Sequence, residues 1–126
     1  MCGLASVLLA PKQRSKAELQ EIVDRFTGNL LANEERGRDA TGVALIKSDG
    51  DFWIHKAPVP ASVFVVSAEY HRLLSAVDER TLLLLGHTRL PTQGSPNDNL
   101  NNHPVVTGRI VGAHNGHIAN DDALFA

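Results

Sequence analysis

The chain has 126 residues, of which 43% are hydrophobic and 21% charged, with one cysteine and a formal net charge of −2. This length allows one domain with a buried core, and a single cysteine excludes an internal disulfide framework or a cysteine-rich structural zinc site. The balance of 12 basic against 14 acidic residues gives no electrostatic reason to expect nucleic acid or an anionic membrane as a partner.

The apolar run Leu4–Ala10 comes first and predicts a strand buried on both faces, closed by Pro11. As a signal peptide the run would need a basic region before it and a longer apolar core, and it has neither. No other apolar run is long enough to span a membrane. We therefore expect a cytoplasmic protein whose first strand belongs to the core.

A helix and a hairpin follow. Ser15 with Glu18 three residues later forms a capping-box pattern, and apolar residues at helical spacing then predict an amphipathic helix over Lys16–Asn33. Two segments flanking a turn dipeptide predict a β-hairpin: Thr41–Ser48 and Phe52–Lys56 on either side of Asp49-Gly50.

The second half of the chain has weaker signals. Ser62–Val66 is short and ambiguous, whereas Glu69–Val77 has helical spacing. Leu82–Leu85 and Arg109–Ala113 predict buried strands, and Ile118 is a candidate start of another.

The segment from Gly86 to Asn120 is unusually poor in charge. Arg89, Asp98 and Arg109 are the only charged residues in these 35 positions, which also hold four of the six histidines and six of the eight asparagines. Neutral donors and acceptors between apolar strands suit a binding pocket, although a long loop held by Asn and Gly turns would look the same. The histidine spacings match no compact zinc pattern, so we expect neither a metal nor a cofactor.

Cys2 directly follows the initiator methionine. Removal of Met1 would place a thiol and a free α-amine on one residue, and an α-amine titrates near pH 8, so it can accept the thiol proton. Gly3 would allow close approach of a substrate. The alternative is that Cys2 is a small core residue at the start of a strand.

Two further groups could contact a substrate. Arg89 has no acidic neighbour in sequence, and its planar guanidinium suits bidentate capture of a carboxylate, although a salt bridge to a distant acid such as Asp39 is an alternative. Asn115-Gly116 could supply an oxyanion hole through the amide side chain and the glycine N–H. The alternative for that pair is a type I′ turn.

Taken together, these features resemble the class II, N-terminal-nucleophile glutamine amidotransferases, as in glucosamine-6-phosphate synthase and amidophosphoribosyltransferase. Five segments carry the resemblance in matching order: Met1-Cys2-Gly3, Arg36-Gly37-Arg38-Asp39-Ala40-Thr41-Gly42, Gly86–Gly94, Asn101-Asn102-His103-Pro104 and His114-Asn115-Gly116-His117-Ile118-Ala119-Asn120.

The resemblance implies that the chain hydrolyses the glutamine side-chain amide to glutamate and ammonia through a Cys2 thioester. It implies a catalytic set and a substrate-binding set: Cys2, Asn115 and Gly116 in the first, and Arg89, Leu90, Thr92, Gln93 and His103 in the second. Its partners would be L-glutamine and an acceptor or synthetase domain or subunit. The implied fold is α+β, a four-layer αββα sandwich.

Residues 1–126 would form an amidotransferase type 2 domain, as its N-terminal portion or a shortened form, because domains of this family are longer. A different expectation is a non-catalytic descendant that binds glutamine or another protein. A third is a structural domain in which Cys2 is only a core residue.

Overall fold

Strands and helices follow one another along the chain in the order β-α-β-β-α-α-β-β-β. The structure, a computed structural model, describes residues 1–120 and 123–124. Its elements are β1 (Gly3–Leu8), α1 (Lys16–Ala32), a 3₁₀ turn (Asn33–Arg36), β2 (Ala40–Lys47), β3 (Phe52–Ala57), α2 (Ala61–Phe64), α3 (Ala68–Ser75), β4 (Thr81–Arg89), β5 (Val105–Thr107) and β6 (Ile110–Gly112).

The main sheet has the strand order β1-β4-β2-β3, with antiparallel neighbours throughout. The central strand β4 pairs Thr88 with Gly3 on one side and Arg89 with Ala40 on the other. The register therefore brings the chain start, the end of β4 and the start of β2 to one end of the sheet. β5 and β6 form a separate two-stranded hairpin.

Helix α1 begins at the predicted capping box. The Ser15 hydroxyl accepts from the Glu18 N–H at 3.2 Å, and the Ser15 N–H donates to the Glu18 carboxylate at 2.7 Å. Phe26 and Leu30 on this helix are fully buried. They pack over Gly86 of β4, where an added Cβ would lie 2.9 Å from Leu30, so the small residue lets the helix approach the strand.

The core lies between one face of the main sheet and the helices. Its sheet residues alternate along their strands and so share a face, and its helix residues come from α1, α2 and α3: Ala5, Val43, Leu45 and Leu84 from the sheet, and Phe26, Leu30, Phe64, Tyr70, Leu73 and Leu74 from the helices. The α+β class with antiparallel sheets is therefore confirmed. No helix in the described part of the chain has the length and apolar character needed to cross a bilayer.

The burial predicted for two strands needs correction. β1 is not buried on both faces: Leu4 is 44% and Leu8 75% exposed, because the helices cover only the opposite face. The predicted buried strand Arg109–Ala113 is instead the second arm of the β5–β6 hairpin, turned at Gly108 with φ +55°. Ile110 at its start is 67% exposed.

The ends of two predicted strands also differ. β4 does not stop at Leu85 but continues to Arg89, because β1 pairs with it as far as Thr88 and β2 pairs with it as far as Arg89. Ile118 begins no strand; the chain there leads into a turn at Ala119–Asn120. The ambiguous segment Ser62–Val66 lies partly in the short helix α2, and its last two residues form the turn that follows.

Candidate functional site

The half-buried Cys2 lies immediately before β1. The next residue, Gly3, makes the last pair between β1 and β4, with Thr88. The Cys2 Sγ accepts from the Leu90 N–H at 3.4 Å and lies 3.5 Å from the Leu90 carbonyl oxygen. The thiol borders a cavity of about 330 Å³. Apart from Cys2, the lining residues all belong to the charge-poor segment: Arg89, Leu90, Pro91, Thr92, Gln93, Gly94, Asn101, His103, His114, Gly116, His117 and Ile118.

Two side chains hold the backbone of Cys2. The Asn115 Nδ2 donates to the Cys2 carbonyl at 2.7 Å across 113 positions of sequence, and the Arg36 Nε donates to the same oxygen at 3.1 Å. Neither Asn115 nor Gly116 has the positive φ of a type I′ turn, so that alternative is wrong. The Asn115 amide uses one of its two hydrogens in the bond to the Cys2 carbonyl, and the second hydrogen takes no part in that bond.

Arg89 is the last residue of β4 and is only 6% exposed. Its terminal nitrogens donate to four neutral acceptors on the following loop: the Asn102 Oδ1 at 2.8 Å, the Ser95 carbonyl at 3.3 Å, the Gly94 carbonyl at 3.0 Å and the Gln93 carbonyl. No acid among residues 1–120 and 123–124 lies within ion-pair distance of this guanidinium. The alternative of a salt bridge to Asp39 is wrong; only their backbones meet, where the Asp39 N–H donates to the Arg89 carbonyl at 3.0 Å.

Asn102 connects Arg89 to the rest of the loop. The side chain is buried, and its Nδ2 donates to the Pro96 carbonyl at 2.7 Å and to the Asn99 Oδ1 at 2.9 Å. Its own carbonyl accepts from the Lys56 Nζ at 2.8 Å. The loop that borders the cavity is thus fixed to both β3 and β4 through one asparagine.

Two histidines lie under the cavity on the sheet face opposite the helices. The rings of His87 and His103 are 4.7 Å apart, and neither nitrogen of His87 nor the Nδ1 of His103 has a hydrogen-bond partner in the described structure. Burial and the nearby His103 lower the pKa of His87 to about 4, although the backbone of His114, close by without normal hydrogen-bond geometry, partly opposes this. Burial and Arg89 also lower the pKa of His103.

Two glycines in the segment Arg36–Gly42 lie so close to neighbouring backbone that no side chain would fit there. A Cβ on Gly42 would overlap the carbonyl of His103, and a Cβ on Gly37 would overlap the backbone of Arg89. Both glycines are buried. They let the loop that carries His103 and the end of β4 pack directly on the segment that begins β2.

The structure brings all eight predicted site residues to one place. Seven of them line the cavity, namely Cys2, Arg89, Leu90, Thr92, Gln93, His103 and Gly116, and Asn115 holds the Cys2 carbonyl. Their chemical roles remain predictions. The sequence assigns no role to Arg36, Asn102 or Lys56; the first two lie inside segments that carry the family resemblance, whereas nothing in the sequence marks Lys56. No group of three or more metal-ligating side chains occurs among the described residues.

The chain is similar in sequence to several proteins that share one name. The chain is 31% identical over 125 residues to a glutamine–fructose-6-phosphate aminotransferase (isomerizing) of Aeropyrum pernix, covering 98% of this chain and 18% of that protein. It is 32% identical over 121 residues to the protein of that name from Sulfurisphaera tokodaii, and 30% over 124 residues to the one from Escherichia coli K12. These matches cover 95% and 98% of this chain. The chain thus spans less than a fifth of the relatives it matches, and no family model matches it.

Solved structures with a similar fold include a chain of a complex of beta-clamp processivity factor and little finger domain of PolIV, with a TM-score of 0.50 and 15% sequence identity. The likeness covers 75% of this chain and 94% of that chain. At this identity it concerns the arrangement of strands and helices alone.

Proposed function

We propose that this chain is a class II glutamine amidotransferase domain that releases ammonia from glutamine. The observation that supports this best is the cavity itself. It places the chain's one thiol beside an amide, a glycine N–H and a buried cation that lacks an acidic partner among the described residues. Glutamine matches these groups, because it carries a carboxylate and, at the far end of its side chain, an electrophilic amide carbon. The similarity to proteins named for their use of glutamine supports the same substrate.

In the proposed reaction, removal of Met1 frees the α-amine of Cys2, which takes the thiol proton. The Cys2 Sγ attacks the glutamine side-chain carbonyl carbon, and the carbonyl π electrons move to oxygen to give a tetrahedral oxyanion. When this intermediate collapses, the C–N bond breaks, the α-ammonium returns its proton to nitrogen, and ammonia leaves. Water then hydrolyses the thioester to glutamate and restores the thiol.

The groups beside Cys2 have matching roles in this proposal. The second hydrogen of the Asn115 amide and the Gly116 N–H would stabilise the oxyanion, where the loss of one donor raises a barrier by roughly 3 to 4 kcal/mol. Arg89 would attract the α-carboxylate, and Leu90, Thr92, Gln93 and His103 would form the walls around the substrate. We propose no metal or cofactor for this reaction.

The proposal extends to the fold. In a four-layer αββα sandwich the main sheet and its helices would be two layers, and another sheet would cover the opposite face. The exposed Leu4 and Leu8 on that face support this arrangement. We propose that residues 1–126 act with an acceptor or synthetase domain or subunit that uses the ammonia.

The experiment is glutamate release from L-glutamine by the protein, followed with a coupled glutamate dehydrogenase assay. Cys2→Ala is expected to abolish release while the thermal unfolding midpoint is unchanged. Ser6→Ala, a change at an exposed position of the adjoining strand β1, is the control and should retain full activity. Mass spectrometry should show a chain beginning at Cys2. Activity that survives Cys2→Ala, or full activity with Met1 retained, would contradict the mechanism.

A second candidate is a domain that binds glutamine without hydrolysing it. It is favoured by the contact of the Asn115 amide with the Cys2 carbonyl, which withholds one amide hydrogen from an oxyanion and so weakens the support for hydrolysis but not for binding. A glutamine-dependent rise in the unfolding midpoint with no glutamate release would identify this function. Such a rise should be lost in Arg89→Gln.

A further inference from the structure

Arg89 is an unusual buried cation because its neighbours are neutral. Buried charges in proteins are normally paired with an opposite charge, since removing an ion from water is costly. Here the guanidinium is held by three carbonyl oxygens and the amide oxygen of Asn102. Neutral acceptors satisfy the hydrogen bonds but leave the positive charge uncancelled.

Asn102 is the one side chain among these four acceptors. Its Oδ1 lies 2.8 Å from the Arg89 Nη1, the position that a carboxylate oxygen would occupy in an ordinary buried ion pair. An aspartate at this position would have nearly the same shape and would cancel the charge. The cavity that Arg89 lines would then lose its attraction for anions.

We infer that Asn102 determines specificity through its neutrality: it meets the Arg89 guanidinium with an amide oxygen instead of a carboxylate, and so leaves the cavity selective for a ligand that carries a carboxylate. This inference rests on the proposed function only for the identity of that ligand. Asn102 touches no reacting atom and acts through Arg89. Its Nδ2 contacts to Pro96 and Asn99 fix the amide in the orientation that presents oxygen, rather than nitrogen, to the cation.

Cys2 provides a direct measurement of this selectivity, because it borders the same cavity and is the only cysteine in the chain. Iodoacetate and iodoacetamide alkylate the same thiol but differ in charge. We define the ratio as the alkylation rate with iodoacetate divided by the rate with iodoacetamide. It compares an anion with a neutral reagent of similar size at the same sulfur atom. A change in thiol reactivity common to both reagents cancels in that ratio.

The experiment measures this ratio in the wild-type protein and in three variants, with the urea-unfolded wild type as the reference. The wild-type ratio should exceed the unfolded one. Asn102→Asp should lower the ratio by about tenfold, as expected for cancelling one charge several ångströms away in a partly desolvated site. Asn102→Ala, which removes the amide without adding charge, and Asn97→Asp, which adds the same charge at an exposed position of the loop, should each stay within about twofold of wild type.

Equal ratios in wild type and Asn102→Asp would overturn the inference. So would a fall in Asn102→Ala as large as that in Asn102→Asp, because the effect would then come from loss of structure. The new Asp oxygen would face the Pro96 and Asn99 oxygens, so this variant is expected to be less stable. Should it not fold, Asn102→Ala decides alone: a retained anion preference supports the inference, and a lost one refutes it.

Alkylation needs no turnover, so this result and the proposed function can fail separately. If the wild type releases no glutamate but shows the expected ratios, the proposed function fails and the charge selectivity stands. If glutamate is released but Asn102→Asp leaves both the ratio and the KM for glutamine unchanged, the inference alone fails. With both correct, Asn102→Asp raises KM by at least as large a factor as it lowers the ratio.

Discussion

Lowering the pH should destabilise this protein through His87. The imidazole is 1% exposed, and neither of its nitrogens has a hydrogen-bond partner among the described residues, so the folded state holds the ring neutral. Burial and the adjacent His103 lower its pKa from 6.5 to about 4. In the unfolded chain the same ring is solvated and takes up a proton near its ordinary pKa.

The sign of the effect follows from these two pKa values. Because the folded pKa is the lower one, the unfolded state binds more protons between pH 6.5 and pH 4, and stability falls as the pH falls through this range. Each pKa unit corresponds to about 1.4 kcal/mol, so the full loss is about 3 kcal/mol, of which about 2 kcal/mol is lost by pH 5. Above pH 6.5 the His87 contribution is constant.

Urea unfolding of the wild type and of His87→Leu at pH 7.5 and pH 5 measures this loss. Other groups, including His103, titrate in both proteins, so the change in the stability difference between the two isolates His87. We expect the wild type to lose about 2 kcal/mol relative to the variant over this interval. A stability difference that does not change with pH would refute the buried, neutral state of His87.

Further predictions concern packing and capping, all measured by urea unfolding. Gly42→Ala should cost about 1 to 3 kcal/mol, because the new methyl overlaps the His103 carbonyl. Gly28→Ala, in an open position on α1, is the matched change and should stabilise by about 0.5 to 1 kcal/mol. Equal effects of the two substitutions would contradict the close contact. Ser15→Ala should cost about 1 kcal/mol by removing the cap over the Glu18 N–H, and no loss would show that the cap contributes nothing.

The elements predicted well are those whose signals are local. The capping box at Ser15 sets the start of α1, and the structure begins the helix at the following residue. Asp49-Gly50 sets the β2–β3 turn, where Gly50 adopts φ +93°. In both cases the deciding contacts lie within a few residues, so sequence alone contains the information.

Burial could not be predicted in the same way. An apolar run such as Leu4–Ala10 shows that a strand can be buried, but which of its faces is covered depends on distant elements. The β5–β6 hairpin was missed for a related reason. Its turn at Gly108 lies between two three-residue strands, too short to give a clear alternating pattern.

The site was predicted by resemblance more than by physics. Residue types suggested chemistry for Cys2, Arg89 and Asn115, but no local rule places residues 113 positions apart in hydrogen-bond contact. The order of the motifs supplied that expectation. Arg36 and Asn102 were missed because their roles consist of single contacts to a backbone carbonyl and to a guanidinium, which depend on the register of the sheet and the course of one loop.

The shortage of charge between Gly86 and Asn120 has a physical explanation in Arg89. Loop carbonyls and one amide of this segment surround the guanidinium, and they satisfy its donors without cancelling its charge. A carboxylate among these acceptors would form a buried ion pair and remove the positive potential from the cavity. Lysines added to this loop would repel the Arg89 guanidinium. A loop built from Asn, Gly and Ser can therefore keep a single buried charge available to a ligand where an ordinary charged loop could not.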